Sequence, residues 1–177
     1  MAPGGLTGAT ANLPTEAATR DLAGRFAACL AAGDVVLLAG PLGAGKSAFC
    51  RELIQSRQAM DGLPAEDVPS PTFTLVQTYA TGNCELWHAD LYRIKNDAEL
   101  PELGLEDAVR DAICLVEWPE ILNPEMTTGA LVLRFEITGD TSRQVAMEWR
   151  DPRWEGVVRQ VLGSNGAMPS PGTVAAP

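Results

Sequence analysis

Val35-Val36-Leu37-Leu38-Ala39, followed at once by Gly40-Pro41-Leu42-Gly43-Ala44-Gly45-Lys46-Ser47, is the stretch that decides the fold. Five consecutive apolar residues read as a strand covered on both faces, the habit of a parallel sheet. The eight residues after it fit G-x-x-x-x-G-K-[ST], the phosphate-binding loop. Ala48-Phe49-Cys50-Arg51-Glu52-Leu53-Ile54 then reads as the first turns of a helix. Strand, glycine loop and helix N-terminus in that order are the context the motif requires. Gly43 and Gly45 permit a tight backbone whose N–H groups converge, and the positive end of the helix favours a bound polyphosphate. Lys46 is placed to reach the β- and γ-phosphates and Ser47 to ligate Mg²⁺. The chain holds only two lysines, Lys46 and Lys95, and one of them occupies the position the motif demands.

Outward from this loop the pattern is that of one α/β domain. A helix is expected over Thr15–Ala32, where Leu22, Phe26, Cys29 and Leu30 recur at helical spacing. Pro64, Pro69 and Pro71 mark a loop after the second helix. Thr72–Tyr79 and Cys84–Asp90 are rich in β-formers and joined by a short link, a hairpin signature. Short helices are expected in Asp97–Asp111, broken near Pro101 and Gly104. Ala112–Glu117 reads as a buried parallel strand. Two alternating runs, Leu131–Ile137 and Gln144–Trp149, form a second hairpin, and Asp151–Leu162 a last helix. The expected architecture is a three-layer α/β sandwich of the P-loop NTPase type, with a parallel central sheet and antiparallel edge hairpins. Its single domain spans 15–162, between a loose N-terminal tail (1–14) and a disordered Gly/Pro/Ala/Ser C-terminal tail (163–177).

The totals narrow the function. At 177 residues there is room for one sizeable core. A net charge of −10 argues against a broad nucleic-acid contact surface, so any service to nucleic-acid chemistry would run through protein partners. Four scattered cysteines without a C-x-x-C pair fit buried reduced thiols better than disulfides or a metal site. No run approaches the roughly 18 apolar residues of a membrane span, and the start lacks the basic and apolar regions of a signal peptide. The cytoplasm is the expected location.

A phosphate loop needs an acidic partner to fix Mg²⁺ or orient water. Asp90 and Glu117 each close a predicted strand, where ligands bind in open α/β sheets. One would hold the metal with Ser47 and the other act on the water; strand position alone does not divide the roles. The lone His88 shares a strand face with Asp90, which allows either a site role or a structural hydrogen bond, and a single histidine gives no support for a zinc site. Arg93 would pair with a phosphate or with Asp90, and Trp118 would stack or cap its strand end. Trp87 is expected in the core. No arginine near the loop stands out as a catalytic finger.

Four blocks in order, Gly-Pro-Leu-Gly-Ala-Gly-Lys-Ser, Ser70-Pro71-Thr72-Phe73-Thr74-Leu75-Val76, His88-Ala89-Asp90-Leu91-Tyr92-Arg93 and Val116-Glu117-Trp118-Pro119-Glu120, resemble the TsaE (YjeE) family over about residues 15–160. The resemblance implies a bacterial ATPase of tRNA threonylcarbamoyladenosine biosynthesis that uses ATP and Mg²⁺. It would work with TsaB and TsaD and meet tRNA only through that complex. It implies that Gly43, Ala44, Gly45, Lys46, Ser47 and Ala48 bind nucleotide, that Ser47 and Glu117 ligate Mg²⁺, and that Asp90 serves hydrolysis. The 70–76 block would be switch-like, with Thr72 or Thr74 sensing the γ-phosphate and Trp118 beside the nucleotide. Two positions depart from the family pattern. Pro41 replaces a usual Asp and lacks an N–H, and Ala48 lacks a common second hydroxyl worth about 1 kcal/mol. A small-molecule kinase and a nucleotide-dependent binding module are the alternatives; a GTPase is disfavoured by the lack of N-K-x-D.

Overall fold

The computed structural model describes residues 6–163. Its centre is β2 (Val35–Ala39), every residue of which is buried. β2 is hydrogen-bonded in parallel to β5 (Ile113–Glu117) on one side and β6 (Leu131–Ile137) on the other. β4 (Glu85–Asp90) lies parallel to β5, and β3 (Val76–Ala80) returns antiparallel along β4. On the opposite side β7 (Arg143–Trp149) runs antiparallel to β6 and carries β1 (Thr7–Leu13) at the far edge. The order β1-β7-β6-β2-β5-β4-β3 is the expected parallel centre with antiparallel edges.

Alternation along each strand feeds two cores. Val36, Leu38, Ile113, Leu115, Leu131 and Leu133 point to the face covered by α1 (Glu16–Cys29), α2 (Lys46–Met60) and α5 (Arg153–Leu162). There Phe49 makes edge-to-face contacts with Phe26 and Phe135 at centroid distances of 5.9 and 5.6 Å. Val35, Leu37, Cys114 and Val116 point to the other face, against a 3-10 segment (Asp97–Leu103), α3 (Leu105–Asp111) and α4 (Pro124–Thr127). No helix among the described residues is long and apolar enough to cross a membrane.

Three expectations need correction. The N-terminal stretch is not a loose tail throughout: Thr7–Leu13 pairs with β7 over seven positions and buries Ala9 and Leu13. Gly and Ala are poor β-formers, so this edge strand owes its order to its partner rather than to its own propensity. The expected strand over Thr72–Tyr79 begins only at Val76. Leu75 adopts φ 65°, and its N–H donates to the Pro71 carbonyl at 2.7 Å, closing a turn over 71–75. The first helix stops at Cys29, because the Asp34 carboxylate takes the Ala31 N–H at 2.8 Å and turns the chain out of the helix. The expected disorder of 164–177 lies outside the described residues. Among the cysteines, Cys50 and Cys114 are buried, Cys29 and Cys84 partly so, and all four are free.

Candidate nucleotide site

β2 delivers the chain into the loop at Gly40, whose φ is +133°; a Cβ there would stand 2.4 Å from the Phe135 carbonyl oxygen, so both conformation and space require glycine. Gly43 (φ 76°) and Gly45 (φ 100°) complete the curve. Gly45 is the N-cap of α2 and offers no side chain to the first-turn amides, which leaves them available to an anion. The Lys46 ammonium folds back onto its own loop, donating to the carbonyls of Gly40 at 2.7 Å and Pro41 at 2.9 Å. It also lies 4.0 Å from the centroid of the Trp118 ring. Burial pulls its pKa below the usual lysine value, against the opposing pull of Glu117, Asp90 and Glu120. Proline at 41 costs no interaction here, because the position contributes its carbonyl.

Both strand-end carboxylates arrive at the same cleft. Asp90 and Glu117 are direct register partners across β4 and β5, and both are buried. The Ser47 hydroxyl donates to Glu117 Oε2 at 2.8 Å. Asp90 accepts from the Thr72 hydroxyl at 2.8 Å and from the Tyr92 N–H at 3.0 Å, and Ser70 Oγ lies 2.8 Å from Thr72 Oγ1. A cleft of about 260 Å³ is lined by these groups together with Gly43, Ala44, Gly45, Lys46, Ala48 and Trp118. The structure therefore gathers the loop residues 43–48, Thr72, Asp90, Glu117 and Trp118 around one cleft, whereas Thr74 and Arg93 are not among the residues that line it.

The residues whose sequence reading allowed two roles now have partners. His88 faces Glu117, with Nε2 2.8 Å from Oε1. Trp118 packs against Tyr92 in a tilted arrangement, with ring centroids 4.8 Å apart and planes at 52°, and also turns the chain after β5 at φ 57°. Arg93 makes no ion pair with Asp90 among the described residues; its guanidinium lies over Phe73, 5.4 Å from the ring centroid. Of the two threonines only Thr72 reaches Asp90, while Thr74 is exposed. Trp87 is only partly buried, against the second core, with its indole N–H on Glu85.

A family model described as "Threonylcarbamoyl adenosine biosynthesis protein TsaE" matches residues 13–145. The chain belongs to the TsaE family. The tRNA threonylcarbamoyladenosine biosynthesis protein TsaE of Rickettsia felis is 40% identical over 131 residues, 74% of this chain and 74% of that one. The proteins of the same name from Mycobacterium tuberculosis and Bacillus subtilis are 35% and 32% identical, covering 80% and 77% of this chain and 88% and 83% of theirs. The crystal structure of Bacillus subtilis YdiB superposes with a TM-score of 0.72 at 25% identity, covering 88% of this chain and 95% of that one.

On this TsaE scaffold one functional candidate escaped the sequence reading. Arg143 on β7 donates to the Gly43 carbonyl at 3.3 Å and lines a second cleft of about 440 Å³ with Thr15, Thr19, Ala44, Gly45 and Ala48. Only the folding of the β6–β7 hairpin beside the loop places it there, and nothing in its local sequence signals it. The oxygens of Ser47 and Glu117, two hard donors that meet at the mouth of the glycine loop, would fit Mg²⁺.

Proposed function

We propose that this chain is the Mg²⁺-dependent ATP-binding and hydrolysing subunit for threonylcarbamoylation of adenosine-37 in tRNAs that read ANN codons. In this reading it acts in the cytoplasm with TsaB- and TsaD-type partners, resets their complex between turnovers, and meets tRNA only through them. The observation that carries the proposal is the Ser47–Glu117 hydrogen bond of 2.8 Å beside Asp90, inside the cleft of the glycine loop. Membership of a family named for this biosynthesis supports the pathway.

Each residue has a task in this reading. The loop amides and the N-terminus of α2 bind the polyphosphate. Lys46 exchanges its two loop carbonyls for phosphate oxygens, a trade of neutral acceptors for charged ones. Ser47 and Glu117 hold Mg²⁺, which when bound neutralises charge on the β- and γ-phosphates. Asp90 orients the attacking water, and Thr72 ties that carboxylate to the 70–75 segment. The cleft beside Arg143 takes the nucleoside.

The test is threonylcarbamoyladenosine formation on tRNA with the cognate TsaB and TsaD proteins under multiple turnover. Three reactions are compared: wild type, Lys46→Ala, and no added chain. Wild type alone should sustain turnover. Lys46→Ala should weaken ATP binding by about 100-fold, the order expected when one ammonium gives up two charge-assisted hydrogen bonds to phosphate. Equal product in all three reactions overturns the pathway assignment. A metabolite that becomes phosphorylated in step with ADP release would replace it with a kinase.

A further inference from the structure

His88 is buried to 0% exposure, and so, within 1%, is the Glu117 carboxylate it touches. Solvent does not reach it. On β4 it is the register partner of Leu115, so its side chain crosses diagonally to Glu117 on β5, a reach that a long ring can span. A carboxylate only accepts, so the ring proton at this contact sits on Nε2. The other ring nitrogen, Nδ1, is buried with no hydrogen-bond partner among the described residues. A residue kept for packing alone would avoid that orphaned atom, since a leucine or phenylalanine fills the space without it. Cys50 closes the third side: its sulfur, a His88 ring nitrogen and a Glu117 oxygen all lie within 4.8 Å of one another. Burial holds that thiol well above its usual pKa, so it stays neutral beside them.

We infer that His88 is the positioning residue for Glu117, its Nε2–H anchoring Oε1 so that Oε2 is presented to Ser47 and the metal. The inference rests on the Mg²⁺–ATP reading above. Glu117 has two oxygens and two donors: Oε1 takes His88 and Oε2 takes Ser47, both at 2.8 Å. Without the histidine the buried carboxylate loses one donor and is free to rotate about its last torsion. Rotation would draw Oε2 away from the loop. His88 does not line the cleft of the glycine loop, so it acts through Glu117.

The experiment is calorimetric titration of ATP into wild type, His88→Leu, His88→Gln and His88→Asn, each in excess Mg²⁺ and in EDTA. Melting curves accompany each protein. Gln carries an amide donor close to the Nε2 position; Leu carries none, and Asn falls short of the carboxylate. His88→Leu should lose about ten-fold of the Mg²⁺-dependent gain in affinity, the scale of an outer-shell partner, with binding in EDTA unchanged. His88→Gln should restore the gain to within about three-fold of wild type by replacing the donor. His88→Asn should behave like Leu, and it carries the test if the leucine variant does not fold. The inference is overturned if the donor-less variants keep the full Mg²⁺ gain, if they lose binding equally in EDTA, or if Gln fails to rescue. Wild type binding ATP with no Mg²⁺ gain would instead overturn the Mg²⁺–ATP reading, and this inference with it.

Discussion

Asp90 and Glu117 end adjacent strands as register partners, yet they are held in different ways. Glu117 is gripped from the first turn of α2 by Ser47 and from β4 by His88, two regular elements with buried cores behind them. Asp90 is gripped by Thr72 and by the Tyr92 N–H, both outside regular structure. The segment that carries Thr72 has a positive-φ Leu75, an exposed Phe73 and an exposed Thr74, and buries only Pro71 among residues 70–75. A segment with so little buried surface has a low free energy of local opening. One carboxylate is thus pre-set, and the other is coupled to a segment that rearranges cheaply. In the proposed ATPase reading, that division would keep the Mg²⁺ ligand ready while the residue proposed to orient water answers to the γ-phosphate or a partner.

Exchanging the two acids is the strongest way to break this contrast. Asp90→Asn should lower single-turnover hydrolysis in the partner complex by about 10³-fold, within the range for loss of an acid–base group, while Mg²⁺–ATP binding stays near wild type. Glu117→Gln should act at the binding step, with weaker Mg²⁺-dependent affinity and a lower melting temperature. The amide would turn an N–H toward either His88 or Ser47 and leave a buried donor facing a donor. Rapid-quench hydrolysis and calorimetry on both variants separate the two. If Asp90→Asn loses binding as fully as Glu117→Gln, the carboxylates form one unit and the contrast fails.

A milder cut tests the coupling alone. Thr72→Val keeps shape and removes the hydroxyl bonded to Asp90. One hydrogen bond to a charged group corresponds to about ten-fold, expected in kcat with the ATP dissociation constant unchanged. Thr74→Val, at an exposed position, should change neither. A loss of affinity in Thr72→Val without a loss of rate would make the threonine a ligand to nucleotide rather than a link to Asp90.

The same contrast governs what the sequence made legible. Lys46, Ser47 and Glu117 belong to elements whose period and glycine spacing are written locally, so their positions followed from the strand, the loop and the helix start. Asp90 was legible as a strand end, but the grip of Thr72 was not, since β-forming residues over 72–75 hide a turn that exists only because Leu75 takes a left-handed conformation. His88 and Arg143 show a second limit. Their partners depend on the β4–β5 register and on where the β6–β7 hairpin packs, both tertiary facts. β1 is the third case: weak β-formers ordered by a partner strand 130 to 142 residues away.

The last prediction lies beneath the rigid side. β5, the strand that ends in Glu117, carries the fully buried Cys114, and burial pushes this thiol up from 9.0 to about 12. The unfolded chain therefore releases that proton near pH 9 while the folded chain keeps it to about pH 12. Stability from this group is complete below pH 9 and is lost as pH rises, at up to about 1.4 kcal/mol per pH unit across that window. Replacing the thiol with Cys114→Ala costs baseline stability through a small cavity, but it should flatten the alkaline slope by the equivalent of one proton. Urea unfolding at pH 8, 9 and 10 measures both quantities. A slope unchanged by the substitution would mean that the thiol ionises in the folded state at an ordinary pH.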